Sequence, residues 1–266
     1  MKAGFLMRLL LLALFCASVV ACKANRCVPC DEAGSVDGHA AHAAGDSKTR
    51  EYYALPGLDH GLLQSPVNVL SNETAPGRHE IDCHGRGEAS EVANLGTTVR
   101  LSIGKGNTTD FDGNSYEFQQ LHFHTPAEHL IDGITYPMEM HLVHSRPGPV
   151  AGAPPSYLVI SLLMRMGKPN RFLAEFLDAV PAEPGKSTEL HGVFFGHVFP
   201  PGLDLEHVHY YHYKGSLTTP PYTESVDWLI AKEVIEAAPE QIQRINLIEG
   251  DNARHVQALY SRAIDQ

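Results

Sequence analysis

Histidines at alternating positions of two consecutive extended segments constrain this chain more than any other feature. Gln120, His122 and His124 occupy every second position of one segment, and Glu139 and His141 have the same spacing on the next. Successive side chains of a β-strand point to opposite faces, so each set shares one face of its strand. A turn-rich connection lets the second strand return beside the first. The fold is therefore expected to hold two neighbouring strands whose histidines converge.

This spacing predicts a zinc site with His122, His124 and His141 as ligands. Alternate Cα atoms on a strand lie about 7 Å apart, which lets two imidazoles reach one ion at about 2.1 Å. Three histidines leave one position of a tetrahedral Zn²⁺ ion open, as in catalytic rather than structural sites. Gln120 and Glu139 each precede a ligand by two residues, and we expect them to hold its second ring nitrogen. The alternative is a set of ordinary hydrogen-bonded histidines.

Strand signals outnumber helical signals along residues 50–266. Strands are predicted at residues 98–103, 116–124, 137–144, 157–166, 192–199, 207–213 and 225–231. Short helices are predicted at 170–179, 232–236 and 240–247. Because strands and helices do not alternate, a doubly wound α/β fold is disfavoured. We expect a single, mainly β domain with a large, mostly antiparallel twisted central sheet and short peripheral helices.

The charge balance excludes one class of partner. The chain carries 20 Lys and Arg against 31 Asp and Glu, a formal charge of −11, whereas nucleic-acid binding needs a basic surface. With 43% hydrophobic and 19% charged residues, the chain is neither a disordered acidic tail nor a multi-span membrane protein. We therefore expect a small-molecule substrate and no nucleic acid. The composition leaves the oligomeric state open.

The amino-terminal residues have the pattern of an export signal. Lys2 and Arg8 precede an apolar run over residues 9–20, which is too short to cross a bilayer as a helix. The run ends in Val-Val-Ala-Cys22, which resembles a bacterial lipoprotein box. We expect a signal peptide over residues 1–21 and a lipid anchor at Cys22, on the periplasmic or cell-surface side of a bacterial membrane. The alternative is a soluble secreted protein.

Residues 22–49 are small and polar and cannot form a core, which predicts a flexible tether. Metal scavenging by the tether histidines, His39 and His42, is an alternative function. The pairing of Cys27, Cys30 and Cys83 stays open, because spacing alone does not determine disulfide connectivity.

Several ordered motifs resemble the α-class carbonic anhydrases closely, over about residues 52–262. The matching segments are Gln120-Leu-His-Phe-His124, Glu128-His129, Glu139-Met-His-Leu-Val143 and Gly215-Ser-Leu-Thr-Thr-Pro-Pro221, flanked by Gln64-Ser-Pro-Val-Asn68 and Asn252-x-Arg254. The resemblance implies a zinc-dependent enzyme that reversibly hydrates carbon dioxide to bicarbonate and a proton. It also implies a zinc-bound hydroxide oriented by Thr218, whose own proton is donated to Glu128.

The resemblance further implies a substrate pocket. Its apolar wall for carbon dioxide would be formed by Val143, Val159, Leu217 and Trp228, and Thr219 would lie beside the product. The alternative to an enzyme is a catalytically silent relative that serves as a binding module. Such relatives typically lose a zinc histidine, and all three are present here. His129 and His144 are interpreted as supporting residues in ordinary hydrogen bonds.

One departure from the family pattern concerns proton transfer. Many members carry a proton-shuttling histidine after a glycine on an early strand, and this chain has Thr97 at the corresponding position. A threonine does not titrate near neutral pH, so we expect regeneration of the hydroxide to be slow or to depend on buffer.

Overall fold

The computed structural model describes residues 61–148, 152 and 155–266. The predicted signal peptide, the tether, Cys22, Cys27 and Cys30 lie outside the described residues. Within them, no helix combines the length and the apolar character that crossing a membrane would need.

Fourteen strands and two α-helices are found in the described residues. The strands are β1 (Asn68–Val69), β2 (Ile81–His84), β3 (Glu88–Asn94), β4 (Val99–Ile103), β5 (Thr108–Phe111), β6 (Asn114–His124), β7 (Leu130–Ile131), β8 (Ile134–Thr135), β9 (Met138–Arg146), β10 (Ser156–Met166), β11 (Lys186–Phe194), β12 (Tyr210–Gly215), β13 (Val226–Ala231) and β14 (Ile235–Ala237). The helices are α1 (Arg171–Phe176) and α2 (Pro239–Glu249), and single 3-10 turns cover Ser71–Glu73, Leu177–Ala179 and Phe195–Val198.

Eleven of these strands form one large sheet in the order β11-β3-β4-β6-β9-β10-β13-β12, with β5 joined to β6, β2 to β5 and β14 to β10. Among the described strands of this sheet, β13 and β14 pair in parallel with β10, and the other pairings are antiparallel. A small second sheet has the order β1-β7-β8. The prediction of a mainly β domain with a mostly antiparallel central sheet is confirmed.

The two faces of the large sheet carry separate apolar clusters, which explains why β10 is a nearly continuous apolar run. On one face, Leu121 pairs with Leu142 and Phe123 pairs with Met140. Both helices pack there, through residues such as Phe172 and Ile245 of the same cluster. Since side chains alternate along a strand, burial of this apolar face turns the histidines of β6 and β9 to the opposite face.

Two predicted elements are wrong. The predicted helix at 232–236 contains the start of β14, because Ile235 pairs in parallel with Met164 at the end of β10. The predicted strand at 192–199 overlaps only the end of β11. Phe195 and Val198 are buried three residues apart, a spacing that places both side chains on one side of a 3-10 turn.

Candidate metal centre

Three histidines meet on the face of the sheet opposite the helices. His122 on β6 lies directly across from His141 on β9, and His124 follows two residues later on β6. Their ring centroids are 5.3 Å apart for His122 and His141, 4.9 Å for His122 and His124, and 4.6 Å for His124 and His141. Each ring offers one nitrogen, and these nitrogens lie within 4.8 Å of one another. His124 and His141 are buried, whereas His122 is partly exposed.

Hydrogen bonds on the outer side of two rings determine which nitrogen is free. The Nδ1 atom of His122 lies 2.9 Å from Gln120 Oε1, and the Nε2 atom of His141 lies 2.7 Å from Glu139 Oε1. Because both partners are acceptors, these nitrogens carry the protons, and the lone pairs are left on His122 Nε2 and His141 Nδ1. The former lies 3.1 Å from His124 Nε2. The sequence-predicted partners Gln120 and Glu139 therefore lie behind two of the three rings.

The three rings are neutral at pH 7. Burial lowers the pKa of His141, and burial together with repulsion from His141 lowers the pKa of His122 to about 3 and that of His124 well below its ordinary value. Neutral imidazoles with converging lone pairs repel one another unless a cation lies between them. In tetrahedral zinc sites two ligand atoms lie about 3.3 Å apart, close to the separation of the two Nε2 atoms. The donor set fits a Zn²⁺ ion.

Glu139 is a fully buried carboxylate surrounded by donors. Its Oε1 accepts hydrogen bonds from His141, from His129 Nδ1 at 2.7 Å and from Ser161 Oγ at 2.5 Å. Its Oε2 accepts from the backbone N–H groups of Glu128 at 2.7 Å and His129 at 2.8 Å. Burial alone would raise the pKa of Glu139, but the adjacent histidines hold it well below its ordinary value. The group is therefore ionised and holds His141 in place.

Behind Glu139, a chain of polar groups continues through His129. The Nε2 atom of His129 lies 2.6 Å from the Tyr213 hydroxyl, which is hydrogen-bonded to Ser65 Oγ at 2.8 Å. Sequence reasoning gave His129 only a supporting role and missed Tyr213, Ser65 and Ser161 as part of this network. The Glu128-His129 motif was a usable signal for one member, but the others have no local pattern that marks them.

Glu128 and Thr218 come together beside the histidines. Glu128 is 1% exposed, and its Oε1 accepts from the backbone N–H of Arg254 at 2.9 Å and lies 3.5 Å from His124 Nδ1. Burial, followed by the nearby Glu139, raises the pKa of Glu128 well above its ordinary value. The Arg254 backbone and the Thr218 hydroxyl act in the opposite direction. Thr218 is buried just after β12, and the next residue, Thr219, is exposed.

The residues predicted for an apolar wall lie in a row beside the histidines. Val143 on β9 pairs with Val159 on β10, which pairs with Trp228 on β13. The Trp228 ring lies 4.9 Å from that of His141, and Leu217 packs, partly buried, against the same cluster. The Trp228 indole N–H also donates to the backbone oxygen of Ser216 at 3.0 Å, which fixes the segment that carries Leu217 and Thr218.

Thr97 lies in the turn between β3 and β4 and is partly exposed. Its backbone oxygen accepts from Asn252 Nδ2 at 2.9 Å, and the same amide nitrogen lies 3.1 Å from the backbone oxygen of Phe123 at the end of β6. Asn252 thus ties this turn to the strand that carries the histidine pair. The sequence singled out Asn252 and Arg254 only as part of a flanking motif.

Comparison with known proteins shows that the described domain is similar to one protein family along its whole length. The family model for eukaryotic-type carbonic anhydrase matches residues 52–266. The chain is 34% identical to a carbonic anhydrase from Neisseria gonorrhoeae over 207 residues, which cover 77% of each protein. It is 31% identical to a carbonic anhydrase from Pectobacterium atrosepticum, with 77% of this chain and 80% of that protein covered.

A solved structure of similar fold is the α-carbonic anhydrase from Thermovibrio ammonificans in complex with sulfanilamide. The TM-score is 0.69 at 31% identity, with 77% of this chain and 88% of that chain covered.

Proposed function

Because the chain belongs to the α-class, eukaryotic-type carbonic anhydrase family and is a carbonic anhydrase, we propose that it hydrates carbon dioxide with a Zn²⁺ ion held by His122, His124 and His141. The observation that carries this proposal is the convergence of three neutral imidazoles within 4.8 Å, two of them held from behind by Gln120 and Glu139. When bound, the ion supplies the Lewis acidity that makes water a nucleophile near neutral pH.

We assign the orientation of the nucleophile to Thr218 and Glu128. An ionised carboxylate only accepts hydrogen bonds, so the Thr218 hydroxyl donates a hydrogen bond to Glu128 and accepts one, through a lone pair, from the attacking oxygen. The positive charge of a bound ion favours the ionised form of Glu128 and offsets the burial that raises its pKa. Orientation by fixed hydrogen bonds lowers the barrier because no reorganisation is needed during the reaction.

We assign the binding of carbon dioxide to Val143, Val159, Leu217 and Trp228. Carbon dioxide is linear and uncharged, and an apolar surface accepts it without leaving buried polar groups unpaired. Three of these residues form a cross-strand row next to His141, which supports a position within reach of the nucleophile. The exposed Thr219 is proposed to contact bicarbonate as it leaves.

The proposal is tested by stopped-flow carbon dioxide hydration and metal analysis of the purified full chain. His141→Ala is expected to lose stoichiometric zinc and at least about 100-fold in hydration rate, because two histidines hold the ion poorly. His207→Ala, which changes an exposed histidine paired with Asp204, is the matched control and should keep both. A His141→Ala protein with full zinc and full rate would overturn the ligand assignment.

We also propose that Cys22 is lipidated and anchors the enzyme on the periplasmic or cell-surface side of a bacterial membrane. The support is the sequence of residues 1–22. Cys22→Ser is expected to move the protein from the membrane fraction to the soluble fraction. Wild-type protein found in the soluble fraction would favour the secreted alternative.

A further inference from the structure

A second group of histidines and carboxylates lies away from the metal centre. It comprises His79, Asp112, His212, Asp227 and Asp265. His79 precedes β2, His212 is on β12, and Asp265 is the penultimate residue of the chain. The backbone N–H of His212 donates to the backbone oxygen of Asp265 at 2.9 Å, and the backbone N–H of Asp265 donates to the backbone oxygen of His212 at 3.0 Å. His212 is adjacent to Tyr213 on β12 and therefore points to the opposite face, so this group is separate from the metal centre.

Three atoms of this group have the spacing of metal ligands. Asp265 Oδ1 lies 2.9 Å from His79 Nε2 and 3.2 Å from His212 Nδ1. The three residues each offer a ligand atom within 4.8 Å of the others. For bonds of about 2.0–2.1 Å, ligand atoms of a tetrahedral zinc site lie about 3.3 Å apart. The His79 and His212 rings are 4.3 Å apart between centroids, and one nitrogen of each faces the Asp265 carboxylate.

The far side of each ring is held by a further carboxylate. The Nδ1 atom of His79 lies 2.7 Å from Asp112 Oδ2, and the Nε2 atom of His212 lies 3.0 Å from Asp227 Oδ1. If the rings are neutral, these far nitrogens carry the protons, since a carboxylate only accepts. The near nitrogens then turn their lone pairs towards Asp265, which is repulsive unless a cation lies between them. Carboxylate–histidine–metal arrangements have this geometry, because the outer carboxylate fixes the tautomer of the ligand.

We propose that His79 Nε2, His212 Nδ1 and the Asp265 carboxylate form a second site for a divalent transition metal such as Zn²⁺, oriented by Asp112 and Asp227. The three aspartates carry three negative charges, and Lys214 Nζ, 2.7 Å from Asp227, supplies one positive charge. A divalent cation with neutral histidines brings the group to zero charge. Two imidazole nitrogens and one carboxylate oxygen match the donors that zinc accepts.

The proposed ion would act on structure rather than on the reaction. It would join the segment before β2, strand β12 and the end of the chain, which are far apart in sequence. Binding to a folded arrangement that the unfolded chain lacks adds stability. The side chains of His79, Asp265 and His212 are 24%, 29% and 11% exposed, so a water molecule can complete the coordination.

The rival interpretation requires no metal. If both histidines are protonated, two positive rings replace the divalent ion and the charge balance is the same. The group would then be a proton-dependent clamp on the carboxyl-terminal segment. The charge balance does not distinguish the metal site from the proton-dependent clamp, but a count of the bound metal ions does.

The experiment is a zinc titration of the metal-stripped full chain, purified without a polyhistidine tag. His39 and His42 are replaced by alanine in every protein so that the tether histidines do not bind zinc. We expect two equivalents of zinc in this background, measured by elemental analysis after desalting, and an increase in Tm on adding zinc. His79→Gln should retain one equivalent and the carbon dioxide hydration rate. His122→Ala should lose that rate but keep the zinc-dependent increase in Tm.

Two further variants separate a binding role from a folding defect. Asp112→Asn is expected to weaken binding of the second equivalent by about 10- to 100-fold, as for loss of an outer partner. Asparagine tolerates the backbone of this position, where φ is 48°. His207→Gln is the matched control and should bind two equivalents. One equivalent in the background protein, or stabilisation by acid but not by zinc, would overturn the proposal, and the latter would support the proton clamp.

Discussion

Two glutamates beside the histidines have pKa values shifted in opposite directions, although both are almost inaccessible to solvent. Glu139 accepts five hydrogen bonds, from three side chains and two backbone N–H groups. Against the effect of burial, His129 and His141 hold its pKa low. Burial, followed by the charge of Glu139, raises the pKa of Glu128, and fewer donors oppose these effects. At the scale of single residues, the neighbouring groups decide that Glu139 is ionised without a metal, whereas the ionisation of Glu128 depends on a bound cation.

The role assigned to Thr218 predicts a specific loss of rate. Thr218→Val keeps the shape of the side chain but removes the hydroxyl, and we expect the kcat/KM of hydration to fall by about 10²- to 10³-fold while the zinc content stays at the wild-type level. Thr218→Ser keeps the hydroxyl and should stay within about tenfold of wild type. Stopped-flow kinetics with parallel metal analysis distinguish these outcomes. A valine variant as fast as wild type would remove Thr218 from the mechanism.

At the scale of elements, the register between β6 and β9 brings the histidines together. His122 lies opposite His141 because Leu121 and Phe123 pair with apolar residues on the other face. The neighbouring β3–β4 turn is attached to the end of β6 through Asn252. The turn thus places residue 97 near the strand that carries the histidine pair, with a side chain that does not exchange protons near neutral pH.

This placement predicts that proton transfer limits the wild-type enzyme. The hydration rate of the wild-type protein should rise as imidazole is added at constant pH, because the buffer replaces the missing shuttle. Thr97→His should raise the rate in weak buffer by about tenfold or more and reduce the imidazole dependence. Thr97→Asn, which adds a polar side chain without a titrating group, is the control. A wild-type rate that is high and insensitive to imidazole would contradict the hypothesis.

At the scale of the whole molecule, the carboxyl-terminal part of the chain connects distant elements through side chains. Arg254 Nη1 donates to Gln64 Oε1 at 2.9 Å and to the Ser65 backbone oxygen at 2.7 Å. Glu249, at the end of α2, accepts from the Val99 backbone N–H at 3.2 Å and from Thr125 Oγ1 at 3.0 Å. Arg254 belongs to residues 250–266, which contain no helix or long strand, so its side chain attaches an irregular segment to residues 64 and 65.

The environment of Glu249 predicts a pH dependence of folding stability. Burial raises the pKa of Glu249 to about 8, so the folded protein retains a proton that the unfolded chain releases above its ordinary pKa of 4.5. The folded state therefore binds more protons between these values, and the free energy of unfolding should fall as the pH rises, by at most about 1.4 kcal/mol per pH unit.

Glu249→Gln is expected to remove this contribution, so the difference in unfolding free energy between variant and wild type should increasingly favour the variant from pH 5 to pH 8. Denaturant unfolding at four pH values measures the difference. Glu240→Gln changes an exposed glutamate at the start of the same helix and is the matched control. Parallel pH profiles for wild type and Glu249→Gln would show that the prediction is wrong.

Strand alternation is a local property with a period of two residues, and for this reason the sequence alone predicted that Gln120, His122 and His124 share a face and that the fold is mainly β. The family resemblance was also visible in the sequence, because its motifs are short runs of consecutive residues. Tertiary structure decided what no local pattern carries. Ser161 reaches the Glu139 network from the adjacent strand β10 and Tyr213 from β12, at the edge of the sheet, and β14 joins the sheet as a strand because it pairs with the end of β10. His79 and Asp265 meet His212 only because the chain end pairs with β12. Such partners depend on register and on chain crossings between residues far apart in sequence, and local periodicity does not encode them.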